Sequence, residues 1–327
     1  MLNTDIYLSH PLGTVFHIVP SNVDTIFLYS ICISLLCGNK NIIRASSTIN
    51  SVVGFIIEIL NKVIAENKLF NEYIHIISYG HDDEINQYLS EKSKCRIIWG
   101  GNHTVNYFKN IHPNVYTKDI FFPNKISHSL LNCHVYCSST SKEKSEVARL
   151  FFNDAYLFDQ MGCSSPRIIY VLGSQENKNK FMDSFYEELS KHTAERYREN
   201  TMALSTLKFN ALITDSLNLN PLKVLKHNNS IYFIEISGRD KIGINCGGGY
   251  FFIKHITKPA QIISDISEKT QTLTHYGFGK EELMSLHHLF FGKQIDRIVP
   301  IGQALSFDYV WDGMNLFDEL TRKRKIY

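Results

Sequence analysis

Residues 15–44 read VFHIVPSNVDTIFLYSICISLLCGNKNIIR. Val15 to Val19 is apolar and rich in β-branched side chains, which suits a strand. Val23 to Cys37 follows as a long apolar run, a buried helix candidate. Gly38-Asn39 can close that helix in a left-handed cap. Asn41 to Arg44 then gives a second strand. A strand, a crossover helix and a strand form one unit of a parallel sheet covered on both faces.

The alternation continues along the chain. Ser51 to Asn67, Asp82 to Ser90 and Thr104 to Asn110 read as helices, Ile74 to Tyr79 and Cys95 to Trp99 as strands. Farther on, Glu143 to Phe158, Glu176 to Lys191 and Glu281 to Phe290 read as helices. Ile168 to Leu172, Ile231 to Ile236 and Tyr250 to His255 read as strands. Two α/β domains follow from this, with Lys118 to Lys142 as the crossing between them. Ligands of such folds bind outside the carboxyl ends of the strands.

Bulk properties exclude several classes. The chain has 327 residues, enough for a sizeable core, with 34 basic and 32 acidic side chains for a formal charge of +2. No basic stripe stands out, so nucleic acid is not an implied partner. Arg322 to Lys325 is a charge run that suits a solvated end. The longest uncharged apolar run, Thr25 to Gly38, is too short to span a bilayer, and no basic n-region precedes it. Seven cysteines without a C-x-x-C pair argue for a reducing compartment and against structural zinc. No metal site is expected, because His287 and His288 diverge on a helix. The reading is a soluble cytoplasmic protein that no membrane anchors.

Four clusters fall at strand ends. Pro20-Ser21-Asn22 offers the Asn22 amide to a developing oxyanion, although Ser21 or Asn22 serves equally as a helix cap. Arg44-Ala45-Ser46-Ser47 offers a guanidinium and hydroxyls to a ribose or phosphate; a solvated arginine is the plainer alternative. Trp99-Gly100-Gly101-Asn102-His103-Thr104 lets a pyrophosphate approach helix N–H groups, with Gly100, Gly101 and Thr104 as the candidate contacts. An empty tight turn explains it as well, since no G-x-G-x-x-G occurs. The fourth is Asp159-Gln160-Met161-Gly162-Cys163-Ser164-Ser165-Pro166-Arg167, a polar loop between a helix and a strand. Its small residues leave room for an electrophilic carbon beside the Cys163 thiol, which favours a nucleophile over a packing residue. Cys246-Gly247-Gly248-Gly249 reads as a turn or close backbone packing without a catalytic cysteine.

Order and type of these clusters resemble the aldehyde dehydrogenase superfamily: Pro20-Ser21-Asn22, then Gly38-Asn39 leading to Arg44-Ala45-Ser46, then Gly100-Gly101, then Cys163. The stretches PLGTVFHIVPSN, GNKNIIRAS, IIWGGNHTVNYF, FDQMGCSSPR and IDRIVPIGQALSFDYVWDG are similar to the bacterial long-chain acyl-CoA reductases, the reductases of the luminescence fatty-acid reductase complex. They run from Pro11 to Gly313, nearly the whole chain. The resemblance implies an aldehyde dehydrogenase-like α/β fold, N-terminally shortened. A Rossmann-type nicotinamide domain would occupy residues 1–135, an α/β catalytic domain 136–300, and 301–327 would return to the cofactor domain or the subunit interface. It also implies a small hairpin that joins subunits, hence a homo-oligomer.

The implied reaction is NADPH-dependent reduction of an acyl thioester, on CoA or on an acylated carrier or synthetase protein, to an aldehyde. Cys163 would carry the acyl group, with Asn22 and the Cys163 backbone N–H facing the oxyanion. Arg44, Ser46, Gly100, Gly101 and Thr104 would hold the cofactor. Hydrolytic relatives need a glutamate base to activate water; here residues 115–137 contain one acid, Asp119. Arg44 stands where the wider superfamily has lysine, and a guanidinium suits a 2′-phosphate. Two alternatives remain open at this level. One is a CoA-acylating aldehyde dehydrogenase running oxidatively; the other is a shortened, non-catalytic paralogue that binds an acyl-activating partner.

Overall fold

A computed structural model describes residues 6–19, 26–45, 51–197, 202–219, 222–237 and 245–326. The chain divides into two units, residues 1–124 with 307–327, and residues 125–306. The expected boundaries were 135/136 and 300/301.

The first unit opens with β1 (Ile6–Pro11), β2 (Thr14–Ile18), α1 (Ile26–Leu36), β3 (Lys40–Ala45) and α2 (Ser51–Glu66). It goes on through α3 (Lys68–Tyr73), β4 (Ile74–Ser78), α4 (Asp83–Lys92), β5 (Cys95–Trp99), α5 (Asn102–Asn110) and β6 (Lys118–Phe122). The turn out of α1 explains why β2 and β3 lie side by side. Gly38 takes a φ of +80°, which only glycine adopts freely, and its N–H and that of Asn39 bond back to Leu35 and Ser34. The Asn39 side chain then accepts the N–H groups of Leu12 and Gly13 at 2.8 and 3.1 Å.

Five parallel strands result, in the order β4-β3-β2-β5-β6. Alternate side chains feed opposite faces: Val15, Ile97 and Trp99 on one, Phe16, Ile18 and Ile98 on the other. The order reverses between β2 and β5. That is the point where open α/β sheets leave a crevice at the carboxyl ends of their strands.

The second unit comprises β7 (Ile126–Asn132), α6 (Cys133–Ser138), α7 (Ser141–Tyr156), β8 (Pro166–Leu172), α8 (Gln175–Arg196) and α9 (Met202–Asn218). It continues with β9 (Leu222–His227), β10 (Tyr232–Ile236), β11 (Tyr250–Ile256), a 3₁₀ turn (Pro259–Ser264), β12 (Thr270–Tyr276), α10 (Lys280–Leu289) and β13 (Arg297–Pro300). Its sheet has the order β13-β12-β7-β8-β11-β10-β9, parallel except for the β9 edge. One face packs Leu131, Ile169, Val171 and Phe251 against Phe151, Phe181 and Phe185 of α7 and α8. The other packs Leu130, Ile168, Tyr170 and Leu273 against Ile262 and Leu286. Each fully buried aromatic there is worth about 1.5–3 kcal/mol of transfer free energy.

The chain then returns to the first unit with β14 (Val310–Trp311), β15 (Met314–Asn315), α11 (Leu316–Glu319) and β16 (Thr321–Ile326). Trp311, Leu316 and Leu320 complete the core beside Val15 and Trp99. β16 pairs antiparallel with β1, Ile326 opposite Ile6 and Thr321 opposite Pro11.

Two expectations need correction. Residues 118–142 do contain the boundary between the units, at 124/125, but they are no bare crossing: they supply β6, β7 and α6, an edge of one sheet and a central strand of the other. The basic run Arg322 to Lys325 is a paired strand, though its side chains do stay exposed.

Candidate active site

The Cys163 loop lies between α7 and β8. A capping box starts α7, with Thr140 and Glu143 exchanging bonds. The helix gives way to two consecutive left-handed residues, Asp159 at φ 50° and Gln160 at φ 59°. Such a conformation is strained for side chains other than glycine, and a firm set of contacts must hold it. Gln160 provides them. Its buried amide donates to the carbonyls of Pro166 and Tyr250 at 3.0 and 3.1 Å and accepts the N–H groups of Gly249 and Tyr250 at 3.0 and 2.9 Å. Gly248 N–H also donates to Asp159 O at 2.9 Å.

The glycine run beneath this loop is there for space. Gly249 has φ +84°, and a Cβ on it would sit 2.0 Å from Ser230 O. Close backbone packing therefore accounts for Gly247 to Gly249, as the sequence reading expects.

Cys163 itself is half-buried. Ser165 N–H bonds Gly162 O at 3.0 Å and closes a turn around it. Two residues on other strands meet it. Ser127 of β7 donates its hydroxyl to Cys163 O at 2.7 Å, and Ser127 Oγ in turn accepts Thr272 N–H at 3.1 Å. Gln271 of β12 donates its side-chain amide to Cys163 Sγ at 3.2 Å. The sequence reading missed Ser127 and Gln271. The alternation of Thr270, Thr272 and Thr274 with other residues was the one available signal of a strand there. The other six thiols are pushed above their ordinary value by burial, Cys95 up to about 12, Cys133 and Cys246 to about 11. Those six are poor nucleophiles for that reason.

In the first unit the candidate cofactor residues sit at the carboxyl ends of β3 and β5. Arg44 lies 4.8 Å over the Tyr79 ring and donates from Nη2 to Gly80 O at 3.1 Å. Its buried Nε has no partner among the described residues. Gly101 is the N-cap of α5 and, as a glycine, brings no side-chain cap of its own. A Cβ on Gly100 would come within 3.0 Å of the Thr104 side chain, so Thr104 packs on Gly100. A Cβ on Gly101 would meet only the Asn124 side chain, at 3.6 Å. A free guanidinium N–H and a helix start behind small residues fit the phosphates of a dinucleotide. Asn22 and Ser46 lie outside the described residues.

Asp119 is tied up. Arg96, fully buried, donates to its two oxygens at 2.7 and 2.6 Å. Among the described residues no group of histidine, cysteine and acidic side chains is placed to hold a metal ion, and no helix is long and apolar enough to cross a membrane.

Comparison with known proteins gives a family and a fold. The family model described as acyl-CoA reductase (LuxC) matches residues 5–323. Among solved structures the chain is similar to a lactaldehyde dehydrogenase, with a TM-score of 0.71 and 12% identity over 99% of this chain and 72% of that one. It is similar to an NAD-dependent aldehyde dehydrogenase from Sinorhizobium meliloti, with a TM-score of 0.71 and 11% identity over 100% and 69%. It is also similar to an NADP-dependent enzyme from E. coli, with a TM-score of 0.70 and 10% identity over 98% and 70%. At such identities the likeness shows the fold, an aldehyde dehydrogenase-like α/β fold with parallel sheets. Sequence comparison with curated proteins finds no match.

Proposed function

The chain belongs to the acyl-CoA reductase (LuxC) family, and from that premise we propose that it reduces an acyl thioester to an aldehyde with NADPH, through an acyl group held on Cys163. The chain is an aldehyde-related oxidoreductase on an aldehyde dehydrogenase-like fold.

The observation that carries the finer reading is the half-buried Cys163, its sulfur met by an amide donor on a loop that Gln160 holds rigid. Its thiolate would attack the acyl carbon. The new C–S bond displaces the donor thiolate, of CoA or of an acylated carrier or synthetase protein, which takes its proton from solvent. A bound reduced nicotinamide supplies hydride chemistry. The C–S bond to Cys163 then breaks and the aldehyde leaves. Asn22 and the Cys163 N–H are the proposed oxyanion donors.

The reductase direction has its own support. Hydrolysis of the acyl group needs a general base, and the one acid of residues 115–137, Asp119, is held in a bidentate pair with Arg96. Arg44 would take the 2′-phosphate and Gly100, Gly101 and the α5 start the pyrophosphate, with Ser46 and Thr104 as further proposed cofactor contacts. NADPH is favoured over NADH because the guanidinium offers a fork of donors. The β1–β16 ribbon, with its outward basic side chains, is the element we expect to join subunits in a homo-oligomer. The free cysteines suit a reducing cytoplasm.

The test is aldehyde formation from an acyl-CoA and NADPH. Wild type is expected to be active and Cys163→Ala inactive; a variant that still makes aldehyde would overturn the covalent route.

A further inference from the structure

We propose that Gln271 is a catalytic residue, one that holds the Cys163 sulfur as the thiolate when it attacks and receives it again when the aldehyde leaves. This rests on the reading of Cys163 as the nucleophile. Three observations carry it.

The first is contact. Gln271 Nε2 donates to Sγ at 3.2 Å, within range of an N–H···S bond, and its side chain is fully buried. A hydrogen bond to an ionised sulfur in a dry setting is stronger than one to a neutral thiol, so the donor favours the thiolate.

The second is aim. The pairing of β12 with β7 slips between Thr270 and Leu273, a bulge that spans Gln271 and Thr272. Bulges re-aim side chains and are common beside active sites. Here the Ser127 hydroxyl fills the broken ladder: it accepts Thr272 N–H and donates to Cys163 O. One hydroxyl thus fixes the backbone of the nucleophile and of the residue next to Gln271. The Gln271 carbonyl is held as well, by Asp296 N–H at 2.9 Å.

The third is chemistry. A carboxamide has no proton to give or take near neutral pH, so Gln271 neither deprotonates the thiol nor protonates a leaving group. Placed on Sγ, its N–H is positioned to stabilise charge on sulfur. That charge occurs twice, once before attack and once when the C–S bond breaks with its electron pair returning to sulfur. Gln271 therefore acts at both ends of the cycle, and the donor thiol that leaves in between is served elsewhere.

The test reads the sulfur directly, without acyl donor or cofactor. Cys163 alkylation by iodoacetamide is followed by peptide mass spectrometry from about pH 6 to about pH 10, in wild type, Gln271→Met and Gln271→Glu. Methionine keeps the length and loses the N–H; glutamate keeps the shape and sets a negative charge beside the sulfur. The midpoint of the alkylation profile is expected to rise by about one unit or more in Gln271→Met, roughly tenfold less reaction at pH 7, and further in Gln271→Glu. The high-pH plateau should stay near wild type, which a merely loosened loop would not preserve. Unchanged midpoints in both variants overturn the role of Gln271 alone. A wild-type Cys163 that resists alkylation throughout overturns the nucleophile reading beneath it.

Discussion

Gln160 sets the geometry of the Cys163 loop from inside. Its side-chain amide satisfies four backbone groups, three in β8 and β11 and the N–H of Gly249 just before β11. Truncation would leave several of them unpaired in the core, at about 1–3 kcal/mol each where no water replaces the bond. Gln160→Ala is therefore expected to destabilise the protein by about 3 kcal/mol or more in urea unfolding. His17 and His128 act through protons. Burial pushes both down to about 4. The unfolded chain then binds more protons between about pH 4 and the ordinary 6.5, so stability rises with pH across that window and is lost on acidification. His17 has partners, Ser30 and Asn41 at 2.9 and 2.8 Å; both ring nitrogens of His128 have none among the described residues. His128→Leu is expected to keep or raise stability at neutral pH and to lessen the loss below pH 6.5, as read by denaturant melts at each pH. Among single residues, Cys163 stood out in the sequence as a candidate through its small polar neighbours. It could not show Gln271, which stands 108 positions away and reaches the sulfur only through sheet register and a bulge.

At the scale of elements, the turn after β13 is held from both sides. Asp154 of α7 accepts the N–H groups of Gly302 and Ala304 at 2.6 and 2.8 Å. Arg297 donates to the carbonyls of Gln303, Ala304 and Ser306. Burial raises the Asp154 carboxyl to about 7, against the two amide bonds that oppose the rise. The folded state thus binds more protons than the unfolded one between about pH 4 and 7, and the contribution of Asp154 falls as pH rises through that range. Asp154→Asn has no such titration. The stability of wild type relative to Asp154→Asn is expected to decline from pH 4 to pH 7; a constant difference would remove this account of the turn. Strands with apolar, β-branched runs were legible, as were the long helices α2, α7 and α8; α9, Met202–Asn218, was not read from the sequence. Strands with polar positions were not. β7 and β12 carry Ser127, Ser129, Thr272 and Thr274, all buried, and Thr274 and Ser129 bond each other at 2.9 Å. Satisfied polar pairs of this kind hide a central strand, which is why residues 118–142 read as a crossing.

For the molecule as a whole, family and fold agree: an acyl-CoA reductase family member with two parallel-sheet units on the aldehyde dehydrogenase plan. Cofactor choice tests the first unit. Arg44→Ala is expected to weaken NADPH binding about tenfold or more and NADH binding much less, in a fluorescence titration. Equal losses would mean that Arg44 does not read the 2′-phosphate. The central claim concerns the second unit, that one sulfur takes the acyl group. Intact-protein mass spectrometry after incubation with a panel of acyl-CoAs, without cofactor, addresses it most directly. The expected result is a single acyl adduct that maps to Cys163 and is absent from Cys163→Ala. No adduct with any chain length, or an adduct that survives in Cys163→Ala, would contradict it.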